Sequence, residues 1–385
     1  MSNRAASSKI IIALNTAWNL VNFRVGLIES LQRAGYEVVA VAPSDGCEAR
    51  LPCRFVDLPM DSGGTNPLRD FALMLRFIAL FRRERPAVFL AYTVKPNVFG
   101  GLAGRFMGVP SINNVAGLGS VFIRDGMLAK LVRQLYRVAL VRSALVFFQN
   151  PDDLALFRGQ HVVTHDRVGL LPGSGVDLVR FAPVAREVAS PRFTLGPPRS
   201  GAVVFLLMAR LLWDKGLAEY VAAAEMLRAE FGPTVEFRLA GQGDIKNPSA
   251  VNQRQLDEWV SAGTIRYLGF MDDVRPLIAD ADVVVLPSYR EGTPKTLLEA
   301  AAMAKPLIAT DVPGCREVVV HGENGVLCEA KSNESLAAAM RAMLSMTHQQ
   351  RVQMGLRGRE LVETKFDERI VHALYLRAIA AIVRA

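Results

Sequence analysis

The sequence predicts an α/β protein made of two doubly wound domains facing a cleft. Three observations carry this: short aliphatic runs alternate with helical stretches, a proline-rich segment interrupts the alternation midway, and 385 residues suit two cores better than one. The first series runs Ile10–Leu14, helix Phe23–Ala34, Glu37–Ala42, helix Leu68–Arg83 and Ala87–Tyr92. Apolar strands of this length, bounded by Gly and Pro and separated by helices, indicate a mostly parallel sheet buried on both faces. The series pauses over Ala182–Gly201, where Pro183, Pro191, Pro197 and Pro198 break any periodicity, as in an interdomain connector. It resumes with Val203–Met208, helix Gly216–Phe231, Val235–Ala240, helix Val251–Ser261, Ile265–Leu268, Val283–Leu286, helix Pro294–Met303, Leu307–Ala309 and helix Glu334–Met346. The predicted division is residues 1–185, 186–366, and an amphipathic tail helix within 367–385.

Hydrophobic residues make up 51% and Gly plus Pro only 50 of 385, which excludes disordered and collagen-like classes. No apolar run approaches the roughly 18 residues that cross a bilayer. The opening residues lack an apolar signal core, so a cytoplasmic location is expected. Cys47, Cys53, Cys315 and Cys328 contain no C-x-x-C pair and read as reduced thiols. The net charge of +8 is uneven: Met1–Ser190 holds 22 Lys/Arg against 14 Asp/Glu, and Met60–Arg142 holds 12 against 4. Such asymmetry suits an anionic partner, whether nucleic acid, lipid headgroups or a phosphorylated substrate. Nucleic acid is disfavoured, because aromatics such as Phe77 and Phe147-Phe148 sit in core-like runs rather than among the basic residues.

The segment Pro287-Ser-Tyr-Arg-Glu-Gly-Thr-Pro-Lys-Thr-Leu-Leu-Glu299 joins a strand to a helix. Thr293 is a suitable N-cap and Pro294 suits the first helical position, so free amides and the positive dipole end form an anion site with Gly292. Glu291 precedes the helix and Glu299 lies in its second turn; five helical steps from Pro294 give about 7.5 Å of rise. Two carboxylates bracketing a phosphate suit a nucleotide sugar, one for sugar hydroxyls and one for ribose. Arg210 and Lys215 leave the end of Val203–Met208 together, where two cations can neutralise a departing nucleoside diphosphate in place of a metal. Gly241-Gln242-Gly243 follows the next strand and permits close backbone approach to a base or phosphate.

These motifs, with Leu268-Gly-Phe, Leu298-Glu-Ala and Thr310-Asp-Val-Pro-Gly followed by Glu317, resemble the retaining glycosyltransferases of family 4 from about residue 9 to 370. The resemblance implies the GT-B fold, two Rossmann-like domains with the donor held by the second lobe and the last helix crossing back to the first. It implies that Glu291 contacts the donor sugar, Glu299 the ribose, and Arg210 with Lys215 the diphosphate, with retention of anomeric configuration, no metal and no other cofactor. In the first half, Asn22-Phe-Arg24, Tyr92-Thr-Val-Lys95-Pro-Asn97 and Asn113-Asn-Val-Ala-Gly117-Leu-Gly119-Ser-Val-Phe122 look like enzymes that add N-acetylhexosamine to undecaprenyl-diphosphate-linked glycans. That resemblance implies a UDP-sugar donor and a lipid diphosphate acceptor met by Arg24, Lys95, Asn97 and Gly117. Two departures stand out: Asn15-Thr-Ala-Trp-Asn19 replaces the family's glycine pair, and Val115-Ala116-Gly117 replaces a histidine-bearing turn, all five histidines falling after residue 150. His321, in Val-His-Gly-Glu-Asn-Gly, reads as part of a structural turn.

Lys130, Arg133 and Arg137 share a helical face beside Leu128, Leu131, Leu135 and Val138, which suits either a bilayer surface or ordinary packing. The expectation is peripheral attachment to the inner face of the cytoplasmic membrane, with this helix and the Leu68–Arg85 helix docking the first lobe. A UDP-sugar 2-epimerase of the same architecture, or a catalytically silent scaffold, are the alternatives; the first lobe's lack of histidine disfavours the former, and retention of Glu291, Glu299, Arg210 and Lys215 the latter.

Overall fold

The computed structural model describes residues 8–61, 64, 66–117, 126–183, 201–243, 247 and 249–384. The chain divides into two compact units, one ending at Ser174 and regaining the residues from Glu368, the other spanning Gly175–Asp367.

The first unit begins with β1 (Lys9–Ala13), α1 (Ala17–Phe23), α2 (Val25–Arg33), β2 (Glu37–Ala42), β3 (Arg54–Asp57), α3 (Pro67–Glu84) and β4 (Val88–Tyr92). It continues with α4 (Gly101–Met107), β5 (Ser111–Val115), α5 (Met127–Leu140), β6 (Leu145–Phe148), α6 (Pro151–Gly159) and β7 (Val168–Leu170). The strands form one parallel sheet in the order β3-β2-β1-β4-β5-β6-β7. Ile10 to Ala13 are fully buried, as expected of a strand covered on both faces. The helix expected over Phe23–Ala34 is α2, which starts at Val25 because Arg24 leaves helical geometry at φ −131° and ψ −4°; the unexpected α1 precedes it. Asn66 caps α3 by accepting from the Leu68 and Arg69 amides, with Pro67 in the first turn.

The second unit contains β8 (Val203–Met208), α7 (Leu217–Phe231), β9 (Val235–Ala240), α8 (Gln253–Ser261), β10 (Arg266–Tyr267), α9 (Arg275–Asp280) and β11 (Val283–Leu286). It ends with α10 (Lys295–Ala302), β12 (Leu307–Thr310), α11 (Cys315–Val318), β13 (Gly325–Cys328), α12 (Asn333–Ser345) and α13 (His348–Lys365). Its parallel sheet runs β10-β9-β8-β11-β12-β13, the same doubly wound order as the first six strands of the other sheet. Two apolar clusters, one on each face, sandwich it: Leu206, Val284 and Leu298 belong to one, Phe205, Val285 and Met340 to the other.

The boundary lies earlier in the chain than expected. Val176 donates its amide to the Phe366 carbonyl at 2.8 Å, and Val176 and Phe181 are buried in the second unit's core, so the crossing comes at Gly175 rather than 186. Residues 184–200 of the expected connector lie outside the described residues. α14 (Glu368–Arg384) belongs to the first unit, with Val371, Tyr375 and Ile379 buried against Ile10, Leu27 and Leu90.

Candidate active site

In a doubly wound sheet the strand order reverses at one point, and loops leaving the strand ends on either side of it leave room for a ligand. In the second unit that point lies between β8 and β11. β8 runs into Arg210 and Lys215; β11 runs into Pro287–Pro294. Lys215 donates to Glu291 Oε1 at 2.5 Å, and the Ser288 hydroxyl donates to the same oxygen at 2.6 Å. Both ion-pair partners are about 15% exposed, at 16% and 15%. Glu291 Oε2 has no partner among the described residues, and Lys215 uses one of three N–H donors on the pair. Arg210 is exposed and its guanidinium has no partner among the described residues.

Three glycines make this convergence possible. Gly216 has φ +74°, and a Cβ there would lie 2.1 Å from the Pro287 carbonyl oxygen, so the turn carrying Lys215 is seated directly on the β11 loop. Gly314 has φ +84°, and a Cβ would meet the Gly292 oxygen at 2.0 Å and the Glu291 oxygen at 2.7 Å. Gly241 backs onto Ala209, whose oxygen would be 1.8 Å from an added Cβ. Hydrogen bonds complete the set: Tyr289 N to Asp214 O at 3.0 Å, Glu291 N to Pro313 O at 3.2 Å, and Leu211 N to Gln242 O at 3.0 Å. Gln242 and Gly243 are exposed, and nothing lies within 4 Å of a Cβ built at Gly243.

The helix start differs from the expected one by a residue. Pro294, with ψ 115°, is the N-cap and Lys295 the first helical residue, because the extended proline's carbonyl accepts from Leu297 and Leu298. Thr293 therefore lies outside the helix, and the N-cap proline has no side-chain cap hydrogen bond. The Thr296 hydroxyl donates to the Met208 carbonyl at 3.2 Å, tying α10 to the end of β8. Glu299 follows with its side chain 14% exposed and Lys295 Nζ 3.9 Å away. Burial pushes its carboxyl up to about 6, with Asp273 adding to the rise and Lys295 and Arg180 opposing it. Ser288, Thr296, Arg180 and Asp273 escaped sequence reasoning. The only signal was the Ser288–Glu291 spacing within the loop.

In the first unit the candidate residues separate. Arg24 is buried, donates to Ser174 Oγ and the Phe23 carbonyl at 3.0 Å, and lies 4.0 Å over the Tyr92 ring. Its Nε is buried without a hydrogen-bond partner among the described residues. Lys95 is buried and ion-paired with Asp70, also donating to the Gly64 carbonyl at 2.8 Å. Asn97 is corrected to an internal role: it is 0% exposed, donates to the Asn114 carbonyl at 2.8 Å and accepts from Asn113 at 3.1 Å. Gly117 takes φ +104°; the rest of its expected motif, 118–122, lies outside the described residues. On α5, Lys130 is exposed, but Arg137 donates to the His161 and Gln160 carbonyls at 2.8 and 3.0 Å, so it closes the end of α6 rather than standing free. Arg133 is half-buried, Leu131 and Val138 are exposed, and the Leu128 side chain lies outside the described residues. His321 Nδ1 accepts from the Leu327 amide at 3.1 Å within a turn.

Residues 23–174 match the model of the glycosyl transferase 4-like domain, and residues 202–346 that of glycosyl transferases group 1. The chain is a two-domain glycosyltransferase. Over 376 residues this glycosyltransferase is 26% identical to N,N'-diacetylbacillosaminyl-diphospho-undecaprenol alpha-1,3-N-acetylgalactosaminyltransferase of Campylobacter jejuni, covering 95% of this chain and 96% of the relative. It is 24% identical to UDP-Gal:alpha-D-GlcNAc-diphosphoundecaprenol alpha-1,3-galactosyltransferase of Escherichia coli, covering 82% and 84%. Its fold is GT-B, shared with sucrose-phosphate synthase of Thermosynechococcus elongatus (TM-score 0.77, 20% identity, 97% and 100% covered) and with Anabaena HepE in complex with UDP and glucose (TM-score 0.78, 18% identity, 97% and 100% covered). Among the described residues no helix is long and apolar enough to cross a membrane.

Proposed function

We propose that this glycosyltransferase moves a sugar, an N-acetylhexosamine by resemblance, from a UDP-sugar to an undecaprenyl-diphosphate-linked glycan, retaining the anomeric configuration and using no metal. The observation that carries the donor site is the Lys215–Glu291 ion pair at the strand-order reversal, beside the N-terminus of α10. Lys215 keeps two N–H donors for a diphosphate oxygen and Arg210 has no partner among the described residues, so two cations supply the charge that a metal would otherwise bring as the nucleoside diphosphate leaves. Glu291 Oε2 accepts from a donor-sugar hydroxyl, while Ser288 and Lys215 hold the carboxylate in place through Oε1. Glu299 accepts from the ribose hydroxyls, and the Lys295 and Thr296 amides face the phosphates. The lipid-linked acceptor is supported by the names of the two relatives that span most of the chain. Arg24, with an unsatisfied Nε, and the Gly117 turn are the first unit's candidates for the acceptor diphosphate. The electropositive face of that unit suits attachment to the inner surface of the cytoplasmic membrane.

The test is transfer from a panel of UDP-sugars to an undecaprenyl-diphosphate glycan, with the product's anomeric configuration read by NMR and the assay repeated with EDTA. The expected result is an axial α-linkage from a UDP-α-sugar, unaffected by chelation. An inverted product or full chelator sensitivity overturns the corresponding half of the mechanism.

A further inference from the structure

On the first unit, α3, α4 and the residue pair following α5 enclose an open trough of about 730 Å³. Its floor is apolar, built by Leu75, Ile78, Leu102 and Phe106. Its rim carries Arg82, Arg105 and Arg142, all exposed. Arg82 and Arg142 have no partner among the described residues, and Arg105 meets only the Val138 carbonyl, at 3.3 Å. No acidic residue lines the trough.

The surroundings extend the same chemistry. α3 buries Leu73, Phe77, Leu80 and Phe81 toward the sheet, yet its outer side shows Leu68, Phe71 and Leu75 at 80%, 56% and 48% exposure. Their spacing of three and four places them on one stripe leading to the trough. Phe106 is 71% exposed at its edge. A helix that already has a packed face gains nothing in water from a second apolar stripe, and a large exposed apolar patch rimmed by cations marks a contact with an amphiphilic anion. The charged residues lining the trough, Arg82, Arg105 and Arg142, all carry the same sign, so the field at the trough is positive.

We propose that the trough seats one anionic phospholipid of a bilayer, its phosphate among the three arginines and an acyl chain along Leu75, Ile78 and Phe106. A free phosphate would leave the apolar lining unused, and an uncharged lipid would leave three guanidiniums without an anionic partner. This rests on the membrane reading above and deepens it: of the two helices expected at the membrane, α3 together with α4 makes the principal contact, and α5 does not.

The test is flotation of the full chain with phosphatidylcholine vesicles, with and without phosphatidylglycerol. The intact protein binds only the anionic vesicles. R82Q/R142Q reduces that binding roughly thirtyfold, at about 1 kcal/mol for each basic residue near a charged surface and about 1.4 kcal/mol per tenfold. F106S, at an exposed position that leaves folding intact, reduces binding as well, and excess glycerophosphate does not compete. Equal binding by R82Q/R142Q and the intact protein, with K130Q impaired instead, overturns the trough and returns the contact to α5. Equal loss on R357Q, an exposed cation of the second unit, or full competition by glycerophosphate, overturns it in favour of unspecific charge or a phosphate site. Failure of the intact protein to bind any anionic vesicle rejects the membrane reading itself.

Discussion

Glu291 and Glu299 are both carboxylates of one loop-helix segment, but their surroundings differ. Glu291 is held by a lysine and a hydroxyl; Glu299 is buried with its nearest cation 3.9 Å away. Glu299→Ala is expected to weaken UDP binding roughly ten- to a hundredfold, the cost of one charged hydrogen bond, and Glu291→Ala to lower kcat more than UDP affinity. Isothermal titration and steady-state rates check the division; equal losses of UDP affinity would show the roles to be wrongly assigned. The raised carboxyl of Glu299 adds a pH signature. Because its folded value near 6 exceeds its unfolded value, its neutral form favours folding below about pH 4.5, and that contribution is lost as pH rises through 6. Glu299→Gln should therefore raise Tm above pH 6, by about 1–2 kcal/mol of stability, while weakening UDP binding. In the unaltered protein UDP affinity should fall as pH drops through 6, and that component should vanish in the Gln variant.

At the scale of elements, the loops leaving β8, β9, β11 and β12 are seated on one another at glycines, in addition to the Lys215–Glu291 pair that links two of them. Gly314→Ala should displace the Glu291–Gly292 backbone and cost about 1–3 kcal/mol, with a larger fall in kcat/KM than Tm alone explains. Thermal melts alongside rates separate the two effects. In the first unit, Glu84 joins Lys9 of β1, Arg54 of β3 and Arg83 of α3. Burial would raise its carboxyl, but the three cations overcome that and hold it at about 2. The stabilisation is present above about pH 4.5 and lost as pH falls toward 2, so Glu84→Gln should flatten acid unfolding in that window and lower Tm near neutrality, by about 1–3 kcal/mol given the partly exposed arginines. Strands such as Val203–Met208 and Val283–Leu286 were legible to the residue because fully buried parallel strands read as unbroken aliphatic runs. β3 and β5 were not: Arg54-Phe-Val-Asp57 is short and polar at both ends, and Ser111-Ile-Asn-Asn-Val115 hides two asparagines whose amides are spent on Asn97 and Tyr375. The Pro287–Glu299 segment was legible as a candidate site because carboxylates, glycines and a strand end coincide in it. The acceptor side was not, since Lys95 and Asn97 look alike in sequence whether they face a ligand or, as here, an internal partner.

For the molecule as a whole, the two units have separate cores and the predicted donor residues lie in the second. UDP should raise the melting temperature selectively over GDP, dTDP and CMP, because a ligand that binds only the folded form stabilises it. No shift with any nucleotide would count against the donor site. The first unit depends on α14 for Val371, Tyr375 and Ile379, each at most 1% exposed. Removing residues from Glu368 onward should cost more than a single large core truncation, about 3–5 kcal/mol, and leave a first unit prone to aggregate, measured by light scattering and denaturant unfolding.

That dependence has a consequence during synthesis. Chains emerge from the ribosome N-terminus first, at roughly 5–20 residues per second, and domains generally fold as they appear. Here the first unit lacks a helix that is made only after the whole of the second unit, so the second unit can finish folding before it. A nascent chain stalled before Glu368 would expose the apolar bed of Ile10, Leu27 and Leu90 to chaperones, which makes translation of α14 the step that commits the first unit to its native state.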